Sequence, residues 1–381
     1  MRNVLILGST GSIGTQALEV IAASPELRAV GLAAGRGWET TVAQAREHGV
    51  EAIALADPDA AARAADAWDG RVLAGEEGVR DLIAATEPDL VLNGIVGAAG
   101  LASTVVALTA GIDVALANKE SLVLGGELVM ALAEATGARI LPVDSEHSAL
   151  HQLIGSEAPG TVDRLLLTAS GGPFRGRQDL SDVSVAEALA HPTWKMGGRI
   201  TIDCATLMNK GFEVIEAHHL FGVPYERIDV VVHPQSLIHS LIHLVDGSTL
   251  AHLGYPDMRV PISYALNFPE RMPVDVPRLD LAAVGELTFE APDPDTFACL
   301  RLALEAGEAG GTAPTVLNAA NEVAVAAFLD GRIPFTGIAA VIERILAQMP
   351  AQPVTHFDDL FAADAEARDR AAAAARELMP A

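Results

Sequence analysis

The chain has 381 residues, half of them hydrophobic, with 50 acidic against 25 basic side chains and a formal net charge of −25. This length and composition suit a globular protein of two or three domains rather than a disordered chain, and so acidic a surface repels a nucleic-acid backbone. Two cysteines are too few for a disulfide framework and fit a reducing compartment, and no apolar stretch approaches the roughly 18–20 residues of a membrane span; a cytoplasmic protein with neither nucleic-acid nor membrane partner is expected.

From Met1 to about Leu150 short apolar runs alternate with helical patterns. Strands are predicted at Val4–Leu7, Ala29–Ala33, Ala52–Leu55, Leu90–Asn93, Asp113–Leu116 and Arg139–Pro142, with helices such as Thr41–His48 and Leu101–Ala110 between them. That alternation predicts an α/β fold, a parallel sheet wound on both faces.

The first strand breaks into Gly8-Ser9-Thr10-Gly11-Ser12-Ile13-Gly14, and an amphipathic helix follows. Glycines at this spacing allow a tight turn and let backbone approach a pyrophosphate. The helix N-terminus then offers free N–H groups and a favourable dipole to the phosphates. The second strand ends Leu32-Ala33-Ala34-Gly35-Arg36-Gly37, without the acid that NAD-binding domains place on the ribose hydroxyls. An arginine there suits a 2′-phosphate, which selects NADPH; otherwise it is a solvated loop cation.

Lys119 follows the strand Asp113–Leu116, as either a site residue or a solvated lysine. Strand Arg139–Pro142 runs through Val143 into Asp144-Ser145-Glu146-His147. Two carboxylates just past a strand end suit Mg²⁺ or Mn²⁺, or else form an ordinary helix start. Beyond residue 150 the texture changes. Ser170-Gly171-Gly172-Pro173-Phe174-Arg175 reads as an anion-holding loop or a glycine turn. His191-Pro192-Thr193-Trp194-Lys195-Met196-Gly197-Gly198 reads as a lid around Trp194 and Met196, or a turn with a buried indole.

On the helix predicted over Leu207–Phe221, Asn209, Lys210 and Glu213 share one face, as a ligand set or as a surface ion pair. Asp246-Gly247 predicts a hairpin. His239 and His243 fall in that hairpin's first strand, where four-residue spacing does not make a zinc pair. The division expected is 1–150 for the nucleotide domain, 151–268 for a central α+β catalytic and dimerisation domain, 269–296 for a linker and 297–381 for a C-terminal helical domain. The alanine-rich tail Asp364–Leu378 reads as a solvated surface helix.

Taken together, the segments ILGSTGSIG, LANKESLV, PVDSEHSAL, SGGPFR, HPTWKMG, ATLMNKGFEVIEA, HPQSLIHS, LGYPDMRVPI and LNAANEVAV closely resemble the 1-deoxy-D-xylulose 5-phosphate reductoisomerase family, in its order and over almost the whole chain. The resemblance implies a homodimer with a Rossmann-like NADPH domain. It implies one divalent cation per subunit held by Asp144, Glu146 and Glu213, which with Lys119 form the catalytic set; Glu146 and Glu213 also contact the sugar phosphate, together with Lys119 and Ser145. It places the substrate phosphate on Ser170, His191, Cys204, Asn209 and Lys210. Cofactor contacts fall on the loop glycine Gly8 and on Thr10, Gly11, Ser12, Ile13, Gly35, Arg36, Gly37, Asn118, Glu120 and Gly197. The implied chemistry is Lewis-acid stabilisation of an enediolate-like rearrangement, followed by hydride transfer from NADPH to the resulting aldehyde. Two positions depart from the family: Gly37 where many members carry Asn, and Cys204 where they carry Ser.

Two other functions suit the same residues less well. A different NADP-dependent enzyme, such as a semialdehyde or homoserine dehydrogenase, would not need three carboxylates beside a phosphate pocket. A non-catalytic NADPH-binding regulator would not need the charged site residues.

Overall fold

The computed structural model describes residues 1–194 and 196–378; Lys195 of the expected lid lies outside the described residues. The elements of the nucleotide half run in strict alternation: β1 (Arg2–Leu7), α1 (Ser12–Ala23), β2 (Leu27–Ala34), α2 (Trp38–His48), β3 (Ala52–Leu55), α3 (Pro58–Ala67), β4 (Arg71–Ala74), α4 (Gly75–Thr86), β5 (Leu90–Asn93), α5 (Ala99–Thr109), β6 (Asp113–Leu116), α6 (Glu120–Thr136), β7 (Ile140–Pro142) and α7 (Ser145–Gly155). There follow β8 (Val162–Ala169), α8 (Val185–Ala188), α9 (Gly198–Ala205), α10 (Met208–Phe221), a 3₁₀ turn at Tyr225–Arg227, β9 (Ile228–Val232), β10 (Ile238–Leu244) and β11 (Thr249–Leu253). Six helices close the chain: α11 (Arg259–Asn267), α12 (Leu281–Val284), α13 (Ala298–Ala309), α14 (Ala313–Leu329), α15 (Phe335–Gln348) and α16 (Phe357–Glu377).

These elements form two compact units. The first comprises Met1–Ser121, Val129–Ser148 and Asp257–Pro277; the second comprises Leu122–Leu128, Ala149–Pro256 and Arg278–Ala381. The division expected from sequence is therefore redrawn. Asp257–Pro277, with α11, joins the nucleotide unit, because Ile262, Ala265 and Leu266 are buried in its core beside Leu18, Ile21 and Leu141. The supposed linker is also not free chain at its far end: Glu290 and Val232 exchange backbone hydrogen bonds of 2.9 Å, and Phe289 stacks on His233.

The first unit holds a seven-stranded parallel sheet in the order β4-β3-β2-β1-β5-β6-β7. Strands buried on both faces read as continuous apolar runs, and β1 does so: Val4, Leu5, Ile6 and Leu7 are all fully buried. Strand order reverses between β1 and β5, so the crevice beyond their carboxyl ends is where such a sheet accepts a ligand. The segment 58–86, read from sequence without α3, β4 and α4, supplies an edge strand whose four residues are half-buried or exposed, too short and too mixed to show a period.

The second unit carries a four-stranded mixed sheet in the order β11-β10-β8-β9. The Asp246-Gly247 hairpin joins β10 to β11 as expected, with Gly247 at φ +89°. Helices α13–α16 pack into a helical layer. The tail helix α16 is not a solvated one: Leu360, Ala367, Ala371, Ala374 and Ala375 are buried, since alanine at this spacing lets α16 approach α14 closely. Among the described residues no helix is long and apolar enough to cross a membrane.

Candidate active site

In the first unit the glycine loop sits where the strand order reverses. Gly8 has φ +86°, and a Cβ there would lie 2.7 Å from the carbonyl oxygen of Gly94 beyond β5. A Cβ on Gly14 would lie 2.3 Å from the Gly8 carbonyl, so the start of α1 closes directly onto the loop. Gly11 caps α1 without a side-chain bond, and Gly11 and Ser12 are exposed, which leaves the first N–H groups of α1 facing outward for an anion. Thr10 lies beneath the next turn: a Cβ on Gly37 would be 3.5 Å from its side chain.

Arg36 projects from that turn, with its side chain 88% exposed and its Nε 3.0 Å from Asp57 Oδ2. The other Asp57 oxygen accepts from Ala60 N at 3.0 Å as the cap of α3, and the two contacts hold this carboxyl below the usual range, the Ala60 bond most strongly. Asp57 is not among the residues expected from sequence. The Asp57-Pro58 pair, a cap residue followed by proline at a helix start, was the available signal.

Asn118 and Glu120 are buried and tie down the loop after β5. Asn118 Nδ2 donates to the carbonyls of Ile95 (2.7 Å) and Gly97 (2.9 Å), and Glu120 Oε1 accepts from Gly97 N at 3.0 Å. They shape the wall beside Gly94.

β6 and β7 are neighbouring parallel strands with Leu116 opposite Pro142, so the residues that leave their carboxyl ends emerge on one edge. Lys119 and Asp144 therefore meet, Nζ to Oδ2 at 2.5 Å, with both side chains largely withdrawn from solvent. The alternative of a solvated Lys119 is thereby excluded. His147 Nδ1 stands 3.8 Å from the same oxygen, and Ser145 donates its hydroxyl to Glu146 at the start of α7.

In the second unit the Ser170 loop leaves β8 with Gly171 and Gly172 both left-handed, at φ +83° and +67°. A Cβ on Gly172 would lie 2.7 Å from the Cys204 carbonyl, so only glycine lets this loop lie against the end of α9. Ser170 Oγ is 2.9 Å from His191 Nε2. His191 Nδ1 accepts from the backbone N–H groups of Thr193 (3.2 Å) and Trp194 (2.9 Å), which fixes the neutral tautomer with its proton on Nε2, and burial lowers the pKa of the ring. Trp194 leans on His239, ring centroids 6.4 Å apart, while Met196 is half-buried and Gly197 caps α9.

Asn209, Lys210 and Glu213 share one face of α10 as their spacing predicts. Asn209 Nδ2 donates to Glu213 Oε1 at 2.5 Å and Lys210 pairs with Glu213 Oε2. Glu213 is 1% exposed and Lys210 4%, so the surface ion pair expected as the alternative is excluded. A carboxylate this deep stays ionised only beside a cation. Lys119 stands beside Asp144 in the first unit and Lys210 beside Glu213 in the second, and carboxylate oxygens are the donors a hard divalent ion takes. Cys204 is half-buried near the end of α9, whereas burial pushes the Cys299 thiol up to about 12.

Three family models cover most of the chain. The 1-deoxy-D-xylulose 5-phosphate reductoisomerase model matches residues 4–126, that family's C-terminal domain residues 140–221, and the DXP reductoisomerase C-terminal domain residues 253–370. The chain is 53% identical to the 1-deoxy-D-xylulose 5-phosphate reductoisomerase of Symbiobacterium thermophilum, over 97% of this chain and 98% of the relative. It is 52% identical to that of Xanthomonas campestris pv. campestris, over 97% and 95%. Two solved structures superpose over nearly all of it: the Zymomonas mobilis reductoisomerase in complex with NADPH (40% identity, TM-score 0.91, 99% of this chain and 100% of that one) and a DOX-P reductoisomerase in complex with NADPH, fosmidomycin and magnesium (41%, TM-score 0.94, 99% of each). Agreement in all these segments, with the glycine loop and both carboxylate–lysine pairs built as described, leads to one conclusion: the chain belongs to the 1-deoxy-D-xylulose 5-phosphate reductoisomerase family.

Proposed function

We propose that this chain converts 1-deoxy-D-xylulose 5-phosphate to 2-C-methyl-D-erythritol 4-phosphate, the NADPH- and divalent-metal-dependent step toward isoprenoid precursors, with Asp144, Glu146 and Glu213 as the three ligands of one Mg²⁺ or Mn²⁺. The observation that carries the ligand assignment is the burial of Glu213 against Lys210 on α10. A divalent ion supplies charge stabilisation to the adjacent ketone and hydroxyl oxygens of the sugar, and NADPH supplies the hydride.

The chain's own groups bind and orient. The exposed start of α1 takes the pyrophosphate of the dinucleotide, and Arg36 takes the 2′-phosphate. His191 Nε2–H, the Ser170 hydroxyl, Asn209 and Lys210 hold the substrate phosphate. Lys119 and Ser145 orient the carboxylates beside them and meet the sugar hydroxyls. The segment carrying Trp194 and Met196 covers the site and excludes water between rearrangement and reduction. The protein works as a cytoplasmic homodimer; β11 is a sheet edge that pairs with β10 alone among the described strands, and such an edge accepts a partner.

Addition of 1-deoxy-D-xylulose 5-phosphate to the purified chain with Mg²⁺ should consume NADPH. Chelation should stop the reaction, and Mg²⁺ or Mn²⁺ should restore it. No consumption, or consumption that survives chelation, overturns the proposal.

Cys204 should be the one thiol that an alkylating reagent reaches, because Cys299 is fully buried and its thiol is held neutral. Substrate should slow the labelling. Cys204→Ser should keep or improve substrate affinity, since a hydrogen bond to a charged group contributes about 1.5–3 kcal/mol. Labelling indifferent to substrate, with a worse KM for Cys204→Ser, would place the thiol away from the phosphate.

A further inference from the structure

Helix α9 joins the two functional parts of the second unit. It begins at Gly197, next after Met196, and it carries Cys204 against Gly172 of the Ser170 loop. Its outer face is polar and nonetheless buried. Asp203, 3% exposed, accepts from Asn321 Nδ2 on α14 at 2.7 Å. One turn earlier, Arg199 donates through Nη2 to Asn318 Oδ1 at 3.2 Å and pairs through Nη1 with Glu322 Oε1 at 3.0 Å. Its Nε also faces Asp203 Oδ2 at 3.8 Å. The network continues to α16: Arg368 bridges Glu322 Oε2 at 2.9 Å and Asp364 Oδ2 at 2.6 Å.

Apolar packing alone would hold α9 to α14 without fixing its register. Directional bonds add register: Asn321 and Asn318, three residues apart and fully buried, grip Asp203 and Arg199, four residues apart on α9. A slip of α9 along or about its axis would break these bonds together. The same slip would shift Gly197 and Cys204, which flank Arg199 and Asp203 in sequence.

We infer that Asn321, Asp203 and Arg199 are positioning residues of the substrate-phosphate pocket, setting α9 so that the Cys204 peptide meets the Ser170 loop correctly. This inference rests on the phosphate assignment above.

The test is steady-state kinetics with 1-deoxy-D-xylulose 5-phosphate and NADPH on the full chain. Asn321→Ala should raise the KM for the sugar phosphate about tenfold. The KM for NADPH should stay within about twofold, and kcat should fall less than the substrate KM rises. Reversing the pair, Asp203→Asn with Asn321→Asp, keeps one donor and one acceptor and should recover most of the loss. A merely stabilising contact would lower the melting temperature and the active fraction while leaving the KM of the folded enzyme unchanged; that result overturns the inference. If Asn321→Ala does not fold, Arg199→Lys decides in its place, since it keeps the charge and loses the fork that binds Asn318 and Glu322 together. Ser170→Ala separates the two levels of reading. If it raises the substrate KM and Asn321→Ala does not, the positioning role fails alone; if Ser170→Ala leaves that KM unchanged, the phosphate assignment fails and the positioning role with it.

Discussion

Glu146→Gln, Asp144→Asn and Glu213→Gln should each lower turnover about a hundred- to a thousandfold while NADPH still binds. Removal of one preorganised charge-stabilising group costs about 2.7–4 kcal/mol of transition-state stabilisation, and each of these replacements removes a negative ligand while keeping shape. The three differ in side effects, which makes them informative as a set. Asp144→Asn also strips Lys119 of its counter-charge, and Glu213→Gln strips Lys210, which is 4% exposed. Breaking a buried pair from one side destabilises by about 3–5 kcal/mol, so those two variants should melt earlier. Glu146 is half-buried and takes the Ser145 hydroxyl, so Glu146→Gln should lose activity with little change in melting temperature. Raised Mg²⁺ should partly restore Glu146→Gln, because weakened binding is recovered by mass action. Near-normal turnover of Glu213→Gln at ordinary Mg²⁺ would make that residue only the partner of Lys210.

The legible part of this site was local. Leu7, Leu55, Asn93, Leu116 and Pro142, where strands end and ligands gather, fall where apolar runs stop and polar residues begin. The face shared by Asn209, Lys210 and Glu213 follows from helical period alone, and the α10 contacts reproduce it. What sequence did not display is adjacency across the sheet. That Lys119 meets Asp144 depends on β6 and β7 being neighbours, and that Arg36 meets Asp57 depends on β2 lying beside β3. Burial was hidden as well. Alanine carries almost no amphipathic signal, so α16 looked like a solvated helix although its alanines pack on α14. The α9–α14 network was invisible for a related reason: Asn318 and Asn321 are polar residues that a pattern assigns to the surface, yet both are fully buried because each finds a partner on another helix.

Arg36→Ala should weaken NADPH binding by roughly ten- to a hundredfold and leave NADH nearly unchanged. The guanidinium is 88% exposed and its pair with Asp57 is a surface ion pair, which contributes only about 0–1 kcal/mol. A 2′-phosphate offers more charge and a bidentate geometry, worth about 1.5–3 kcal/mol, so the arginine gains by turning its Nη edge to the cofactor. Asp57 keeps its other oxygen on the α3 cap and does not move with it. Gly37 raises the stake on Arg36. Its missing side chain leaves ordinary van der Waals room above Thr10 at 3.5 Å, but no second hydrogen-bond donor beside the phosphate. Gly37→Asn should for the same reason tighten NADPH and soften the effect of Arg36→Ala. Because the contact is exposed, the preference for NADPH over NADH should shrink as salt rises, with screening over about 8 Å at physiological ionic strength. Fluorescence titration of both cofactors across salt, for wild type and Arg36→Ala, reads all of this without turnover. Equal losses for NADPH and NADH would make Arg36 a general anchor of the β2–α2 turn, and no loss for either would return it to a solvated cation held by Asp57.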